Sequence, residues 1–459
     1  MSRQVQVPLT STVSENDVSG QELLVNVYPK PSSGGKYPFT LAHTPGQAFF
    51  CELPTSPVMG LIKGEGDLFA FTPTNMYQVF TDGTYQDLGG LELLGTRVVM
   101  ADNGNHIVAV DGIKGFSFNR TTAVLQEITD PNFYPAATVD FQDGYFVFDR
   151  VGTGDFFLSE LLDVTFDAND LFAAEGRPDN VVAVISDHGE ILPFGTASTE
   201  FWYNTGEVDF RFTKNKGAFS EKGCAARYTI AQQDNAVYFV GSDLVVYKMA
   251  GYVPQRVSTR IVERSLTDVD LSDAYAMVYQ EEGHLFYILT IPAVDQTWCY
   301  DISTNEWHKR EGVGGGQHRA NTIVFFDGKI LAGDYQNGRI YQLSSKHYTD
   351  DNEIISRKIV LPVISRGRSY FSAYSFELDM SSGIGLSSGQ GSDPVACIEY
   401  SKDGGKKWSN VKKAIIGKTG KYLTRPKVNR IGSARQLTFR VTINEPIPID
   451  IGGAYLEVD

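Results

Sequence analysis

The chain has 459 residues, 42% apolar and 12% aromatic, enough to bury a large core as two or three domains or as one propeller with an appendage. Its net charge of −15 makes it a poor wrapper of nucleic acid, because such binding depends on cations that displace the counterion atmosphere. The polar start Ser2-Arg3-Gln4 leads into no apolar h-region, and no uncharged apolar run approaches the roughly 18 residues that span a bilayer. A soluble chain outside the usual secretory route, with no membrane insertion, is expected.

The charge is unevenly spread. Residues 357–459 carry 16 Lys+Arg against 9 Asp+Glu, a net of +7, which leaves −22 for residues 1–356. Two electrostatically different parts therefore meet near residue 350. Cys51, Cys224, Cys299 and Cys397 are widely spaced, which fits free thiols in a reducing cell better than a disulfide framework. No CxxC or HxxxH spacing marks a zinc site, and no metal or cofactor is expected.

In chain order, residues 1–57 are rich in Ser, Thr, Pro and Gly, with one strand at Glu22 to Tyr28, and suggest an extended arm. From Val58 onward short apolar strands alternate with turn pairs. Leu68 to Phe71, Tyr77 to Phe80, Arg97 to Met100, His106 to Val110 and Tyr145 to Phe148 are hairpin strands. Asp82-Gly83, Asn103-Gly104, Asp111-Gly112, Asp143-Gly144, Asp327-Gly328, Asn337-Gly338 and Asp403-Gly404 are turn pairs of the type I′ kind.

Between Phe156 and Pro178 the pattern loosens, and a short helix is expected at Ala168 to Ala174. Val181 to Phe212 restores the strands. Ser258 to Tyr279 is the one good helix candidate, with Ile261, Val262, Leu266, Val269 and Met277 on an apolar side. Gly283 to Arg310 is the fullest unit, three antiparallel strands that make up most of a propeller blade; Pro292 and the β-branched content disfavour a helix.

Strand starts near Val58, Thr96, Ala137, Val181, Ala225, Ala274 and Ala320 recur about every 38 to 49 residues, the spacing of a four-stranded blade. A sheet this small cannot bury both faces alone, so about six or seven units should stack around an axis. The polar stretch Ser344 to Asn352 marks a boundary. Beyond it strands are expected at Lys358 to Ile364, Tyr370 to Met380, Val395 to Tyr400, Leu437 to Ile443 and Ala454 to Val458. The expected class is all-β: an arm (1–57), a propeller (58–350) and a basic C-terminal β domain (351–459), a sandwich or a sheet packed on the propeller.

Few residues point to chemistry. Asp163, Asp167, Asp170, Glu175 and Asp179 lack the spacing of a calcium loop and suggest a solvated acidic loop. Glu200 beside Trp202 lacks a second carboxylate at a defined distance, so a paired or surface role is expected. His308 is expected to cap a hydrogen bond at a strand end. Gly312 to Gly316 lacks the Lys-Ser/Thr of a phosphate loop, and no G-x-S-x-G elbow occurs. Catalytic residues are therefore not assigned.

Ser401, Asp403, Gly405 and Trp408 are similar to the Asp-box hairpin of sialidase-like propellers, a structural turn without chemistry of its own. A sialidase-like hydrolase would also need an arginine cluster with an acid and a nucleophile. The largest single-sign feature is the run Lys402, Lys406, Lys407, Lys412, Lys413, Lys418, Lys421, Arg425, Lys427 and Arg430. It is either a solvated sheet face or a docking surface for an acidic partner or DNA phosphates. Trp298-Cys299-Tyr300-Asp301 and Trp307 also leave open a kelch-like binding propeller.

Val25 to Pro29, Thr44 to Gly46, Gly195 to Trp202 with Thr205-Gly206, Gly251-Tyr252 with Ser258-Thr259, Trp307 to Arg310, Arg430 to Arg435 and Gly453 to Glu457 occur in a telling order. In that order the chain resembles the packaged-DNA stabilisation or tail hub (nozzle) proteins of short-tailed bacteriophages. The resemblance implies a homo-hexameric ring below the portal and its head-to-tail adaptor, assembled in the host cytoplasm. Such a ring extends the DNA channel, retains packaged DNA by passive contact and carries tail fibres, tailspikes or a needle or plug. It implies no enzymatic activity.

Overall fold

The computed structural model describes residues 2–13, 21–32, 34–207, 211–367 and 369–459. Hairpin chemistry sets its architecture. Tight turns at Glu65-Gly66, Asp143-Gly144, His188-Gly189, Asp234-Asn235, Glu282-Gly283 and Asp327-Gly328 place both central residues at positive φ, the geometry whose twist matches that of paired strands. Each joins the innermost strand of a four-stranded sheet to its second strand.

Among the described residues seven four-stranded units are arranged as blades, five as separate sheets and two as parts of larger sheets of 11 and 6 strands. Blades 1 to 5 begin with inner strands Gly60–Gly64, Val99–Asp102, Val139–Gln142, Val181–Asp187 and Ala231–Gln233. Blade 6 comprises Tyr275–Glu281, His284–Ile291, Gln296–Asp301 and Glu306–Arg310. Blade 7 comprises Ala320–Phe326, Lys329–Asp334 and Arg339–Ser344, with Gly46–Glu52 as its outer strand. The ring is therefore closed by a strand from the start of the chain, paired antiparallel from Arg339↔Glu52 to Ser344↔Gly46.

Neighbouring blades are stitched at their inner strands. Val184 N–H donates to Thr138 Oγ1 at 2.9 Å, Ser186 N–H to Asp140 Oδ2 at 2.7 Å, and Leu61 N–H to Thr322 Oγ1 at 3.2 Å across the closure. A recurring aspartate after the second strand ties turns to inter-blade loops. Asp111 accepts from the N–H groups of Leu94, Gly95, Ile113 and Lys114, and Asp149 from Ala137, Thr138 and the Thr138 hydroxyl. These loops thus satisfy their backbone donors inside the protein.

The described residues of 1–57, set apart above as an arm, are built into both bodies. Ser2–Val5 pairs with Asp450–Val458, Gln21–Val25 with Arg357–Val360, and Val27–Pro31 with Phe39–His43, which in turn pairs with Asp450–Val458. Val5, Val7, Leu24, Val27 and Leu41 lie in the core of the C-terminal sandwich, whose two sheets meet where the Phe376 and Phe439 rings stack at 3.9 Å. Val25 also pairs in parallel with Lys309, so one strand belongs to the sandwich and to the rim of blade 6.

Three expectations change. The helix expected over Ser258 to Tyr279 is confined to Arg260–Leu266, and Tyr275–Glu281 is the inner strand of blade 6. Thr267, in the extended region, ends the helix and Asp268, in the left-handed region, turns the chain away, while Tyr275, Met277 and Tyr279 are buried with the period of a strand. Ala168 to Ala174 holds the strand Leu171–Ala173 rather than a helix, because Phe172 stacks on Phe156 of the neighbouring strand. Two further sandwich strands, Lys412–Ile415 and Lys427–Ala434, lie within the basic run. Within Val181 to Phe212, residues 208–210 lie outside the described residues.

Candidate functional site

The sandwich edge gathers the basic run. Lys412–Ile415 pairs only with Val395–Ser401, and Lys427–Ala434 only with Phe371–Met380, so each is the last strand of its sheet. Lysine on an exposed edge discourages pairing with another chain. The two edges are braced by side chains. Lys412 Nζ donates to Asn429 O at 2.8 Å and Arg430 O at 3.3 Å, and Lys402 Nζ donates to Ser433 O at 3.1 Å.

Other members are neutralised locally. Arg425 meets Glu377 at 3.0 Å, Lys427 meets Glu377 at 3.8 Å, and Lys418 meets Asp393 at 3.4 Å. Lys407, Lys413, Lys421 and Arg430 are exposed and form no ion pair among the described residues. Lys406 is exposed as well. Arg430 sits at φ 60° in a bulge where the register steps from Gly432 to Asn429, which turns its side chain away from the ladder. Between Lys421 and Arg425 the tip exposes Tyr422 by 72% and Leu423 by 96%. Alternation along the sequence does not single out side chains so exposed.

The Asp-box-like residues form the expected turn. Ser401 Oγ donates to Asp403 Oδ1 at 2.7 Å and accepts from Gly405 N–H at 2.9 Å, while Lys407 N–H donates to Asp403 Oδ1 at 2.9 Å. The Lys407 N–H and the Ser401 hydroxyl hold the Asp403 carboxyl below its ordinary range. Trp408 lies under the Arg440 guanidinium at 4.4 Å, and Arg440 forms two 2.8 Å bonds to Glu399. The bonds of the Ser401 hydroxyl and of Asp403 Oδ1 thus lie within the turn and hold it.

The remaining candidates are structural. Glu200 is 1% exposed and accepts from Lys214 Nζ at 2.7 Å, Trp202 Nε1 at 2.9 Å and Gly176 N–H at 2.5 Å. His308 does not cap a strand end; it is buried inside Glu306–Arg310, opposite Cys299. Asp170 pairs with Arg211 at 2.6 Å, and Asp179 accepts from Ala197 and Ser198 N–H. Among the described residues no group of three side chains is placed to hold a metal. Gly314, Gly315 and Gly316 take positive φ in a turn. Cys51, Cys224 and Cys299 are buried thiols, Cys397 is half-buried, and burial pushes the Cys224 thiol up to about 12. Trp298 and Trp307 are core residues of blade 6, the latter donating Nε1–H to Val257 O at 2.7 Å.

The propeller axis holds a cavity of about 390 Å³ lined by inner strands, including Arg97, Asp140, Arg227 and Tyr275. Arg97 stacks on the Tyr275 ring at 3.6 Å and donates to Asn321.

Two family models cover nearly all of the chain: bacteriophage P22 Gp10, beta-propeller, over residues 5–348, and bacteriophage P22 Gp10, beta-sandwich, over residues 356–459. The chain belongs to the P22 Gp10 family. This is the tail hub or nozzle family of short-tailed phages, which stabilises packaged DNA, and the chain is accordingly a phage structural tail protein with a propeller and a C-terminal sandwich. No curated protein matches the chain.

Solved structures are similar at low identity. The computationally designed Ika8 protein is 14% identical over 74% of this chain and 99% of its own, with a TM-score of 0.40. The Cps50 (Swd1) propeller domain of Myceliophteria thermophila is 9% identical over 65% and 99%, at 0.44, and YCF48 from Cyanidioschyzon merolae is 11% identical over 66% and 100%, at 0.43. In this Gp10-family chain the sandwich draws strands from residues 2–43, so the family's boundary near residue 350 does not separate the two bodies in sequence.

Proposed function

We propose that the chain is the tail-hub subunit of a short-tailed phage, six copies of which form a ring below the portal and its adaptor. The ring retains packaged DNA, continues the channel through which it leaves, and carries fibres, spikes or a needle. The family match through propeller and sandwich, in that order, is the observation that supports this reading most.

Charge and shape agree with it. The duplex would run through the space between subunits, past the body that carries −22, where like charge disfavours sticking. The tie between sandwich and propeller gives each subunit one stiff wall element. The basic edge, with Lys407, Lys413, Lys421 and Arg430 around the Tyr422-Leu423 tip, is the docking surface for an acidic face of the adaptor or of a neighbouring subunit. Negative-stain imaging of the purified protein, alone and added to DNA-filled heads carrying the adaptor, tests the assignment. Sixfold rings or head-bound hubs are expected; a strict monomer that never joins such heads overturns it.

A further inference from the structure

Arg310 ends the outer strand of blade 6 and buries its guanidinium in the layer facing blade 7. Its guanidinium carbon lies 4.9 Å from the Phe286 ring centroid and 5.2 Å from that of Tyr279. Phe286 and Tyr279 share a core cluster with Ala320, Ile330 and Leu343 of blade 7. The residue is 1% exposed, and neither Nη1 nor Nη2 has a hydrogen-bond partner. Nε donates to His308 Nε2 at 3.3 Å, and the other polar neighbours of the guanidinium are the uncharged Tyr279 hydroxyl and Cys299 thiol.

Among the described residues no carboxylate pairs with the Arg310 charge, which only the ring faces of Phe286 and Tyr279 meet. Arginine stays protonated in proteins. Asp301, the buried carboxylate of the same blade, is taken by His284 Nδ1 at 2.6 Å. Burial pushes the Cys299 thiol up to about 12 and the Tyr279 hydroxyl well above its ordinary value, so both are neutral at neutral pH. Arg357, also 1% exposed, shows how the fold otherwise treats a buried guanidinium: its Nη1 and Nη2 donate to Glu445 O at 2.9 Å and Tyr348 O at 3.0 Å.

Donors outnumber acceptors in the Arg310 layer. Because His308 Nε2 accepts from Arg310, the neutral imidazole carries its proton on Nδ1, and that N–H is unpartnered too. The Tyr279 oxygen faces the guanidinium as an acceptor, which leaves its own O–H to donate; the unpartnered acceptor is Gln47 Oε1. Water answers donors and acceptors alike but brings no charge, and an isolated buried charge is strongly unfavourable.

We propose that a small monovalent anion of the halide class binds between blades 6 and 7 on the Nη face of Arg310, with the Tyr279 hydroxyl as second donor. The ion neutralises the guanidinium and joins blade 6 to the blade that closes the ring. Larger oxyanions are disfavoured because Tyr28, Phe286, Cys299 and His318 crowd the layer, all of them buried.

The test compares thermal unfolding of the full chain in sodium gluconate, chloride and bromide at one ionic strength. The melting temperature is expected to rise with halide and saturate, as for any ligand bound only by the folded state. Arg310→Met should lose this response. Tyr279→Phe should keep the fold and shift the halide midpoint upward by about tenfold, the loss of one hydrogen bond to a charged group. Crystals grown in bromide should show an anomalous peak at hydrogen-bond distance from Arg310 Nη. Equal melting in gluconate and halide, an unchanged response in either variant, or water alone at Arg310 in bromide crystals would overturn the proposal. If Arg310→Met does not fold, Tyr279→Phe and the bromide peak decide.

Discussion

Asn26 and Glu311 hold each other by a reciprocal pair of hydrogen bonds: Asn26 Oδ1 accepts from Glu311 N–H at 2.9 Å, and Asn26 Nδ2 donates to Glu311 O at 3.1 Å. The same Nδ2 donates to Ser356 O at 2.9 Å, and the residue is 2% exposed at φ 54°. One short side chain thus ties the link between two N-terminal strands to the end of blade 6 and to the start of the C-terminal strands. Asn26→Ala strands three partly buried backbone groups and keeps the left-handed strain without the residue that tolerates it. A loss of about 3 kcal/mol is expected, measured by urea unfolding, and unfolding should split into separate sandwich and propeller transitions. Asn26→Gly relieves the strain but not the lost bonds, so a wild-type midpoint in that variant would show that the tie carries no stability.

The ring closure makes a second prediction. A Cβ on Gly338 would lie 2.4 Å from Leu53 O and 2.7 Å from Thr55 O, backbone atoms of the segment that follows the closing strand. Gly338→Ala must therefore push that strand off Arg339–Ser344, at an expected cost of about 2–3 kcal/mol. Gly328, at φ +71° with open space around it, is the control: Gly328→Ala should cost only about 1 kcal/mol of backbone strain. Thermal melts of the two variants side by side check the ordering, and equal shifts would mean that closure is not a point of tight packing.

Where single residues dictate local geometry, the fold was legible. Asp143-Gly144 and Asp327-Gly328 form the expected turn with both residues at positive φ, whereas Asp82, Asn103, Asp111, Asn337 and Asp403 stay out of the left-handed region and their pairs form other turns; Leu285 to Ile291 has no other comfortable state than a buried strand. What was not legible depends on distant partners. Gly46–Glu52 and Gln21–Val25 resemble any polar strand until Arg339–Ser344 and Arg357–Val360 are beside them. In Lys427–Ala434 the bulge at Arg430 spaces the buried Val428, Ile431 and Ala434 three apart, which hides the strand period. The Asp-box-like turn was readable because its bonds are local. The unanswered guanidinium of Arg310 was not, since only burial distinguishes it from a surface arginine.

Asp149 links stability to pH. It is 0% exposed, its Oδ1 accepts three hydrogen bonds, its Oδ2 accepts none, and burial raises its carboxyl to about 6 despite the Arg227 charge. The folded value lies above the unfolded one of about 3.9, so the folded state binds the proton more tightly. The penalty is absent below about pH 4 and grows as pH rises through about 6, reaching on the order of 3 kcal/mol above it. Asp149→Asn keeps an oxygen for the three donors and removes the charge. Its stability minus that of wild type should therefore climb between about pH 4 and 7 and then level off; a flat difference across that range would show that Asp149 is ionised without penalty.

The basic edge separates holding the sandwich together from holding a partner. Lys402 and Lys412 cover backbone carbonyls of the opposite edge, so Lys412→Ala should lower stability by about 1 kcal/mol and leave those acceptors to water. Lys407, Lys413, Lys421 and Arg430 are exposed, and reversing all four to Glu should change stability by little, within about 0.5 kcal/mol per site. The same reversal should sharply weaken attachment to adaptor-loaded heads at low salt, and added salt should narrow the gap to wild type as exposed charges are screened. Leu423→Ser should weaken attachment without that salt dependence, because it removes apolar contact and no charge. Sedimentation of labelled protein with DNA-filled heads at two salt concentrations distinguishes these outcomes. Unimpaired attachment of the fourfold reversal at both would assign the patch to edge protection alone.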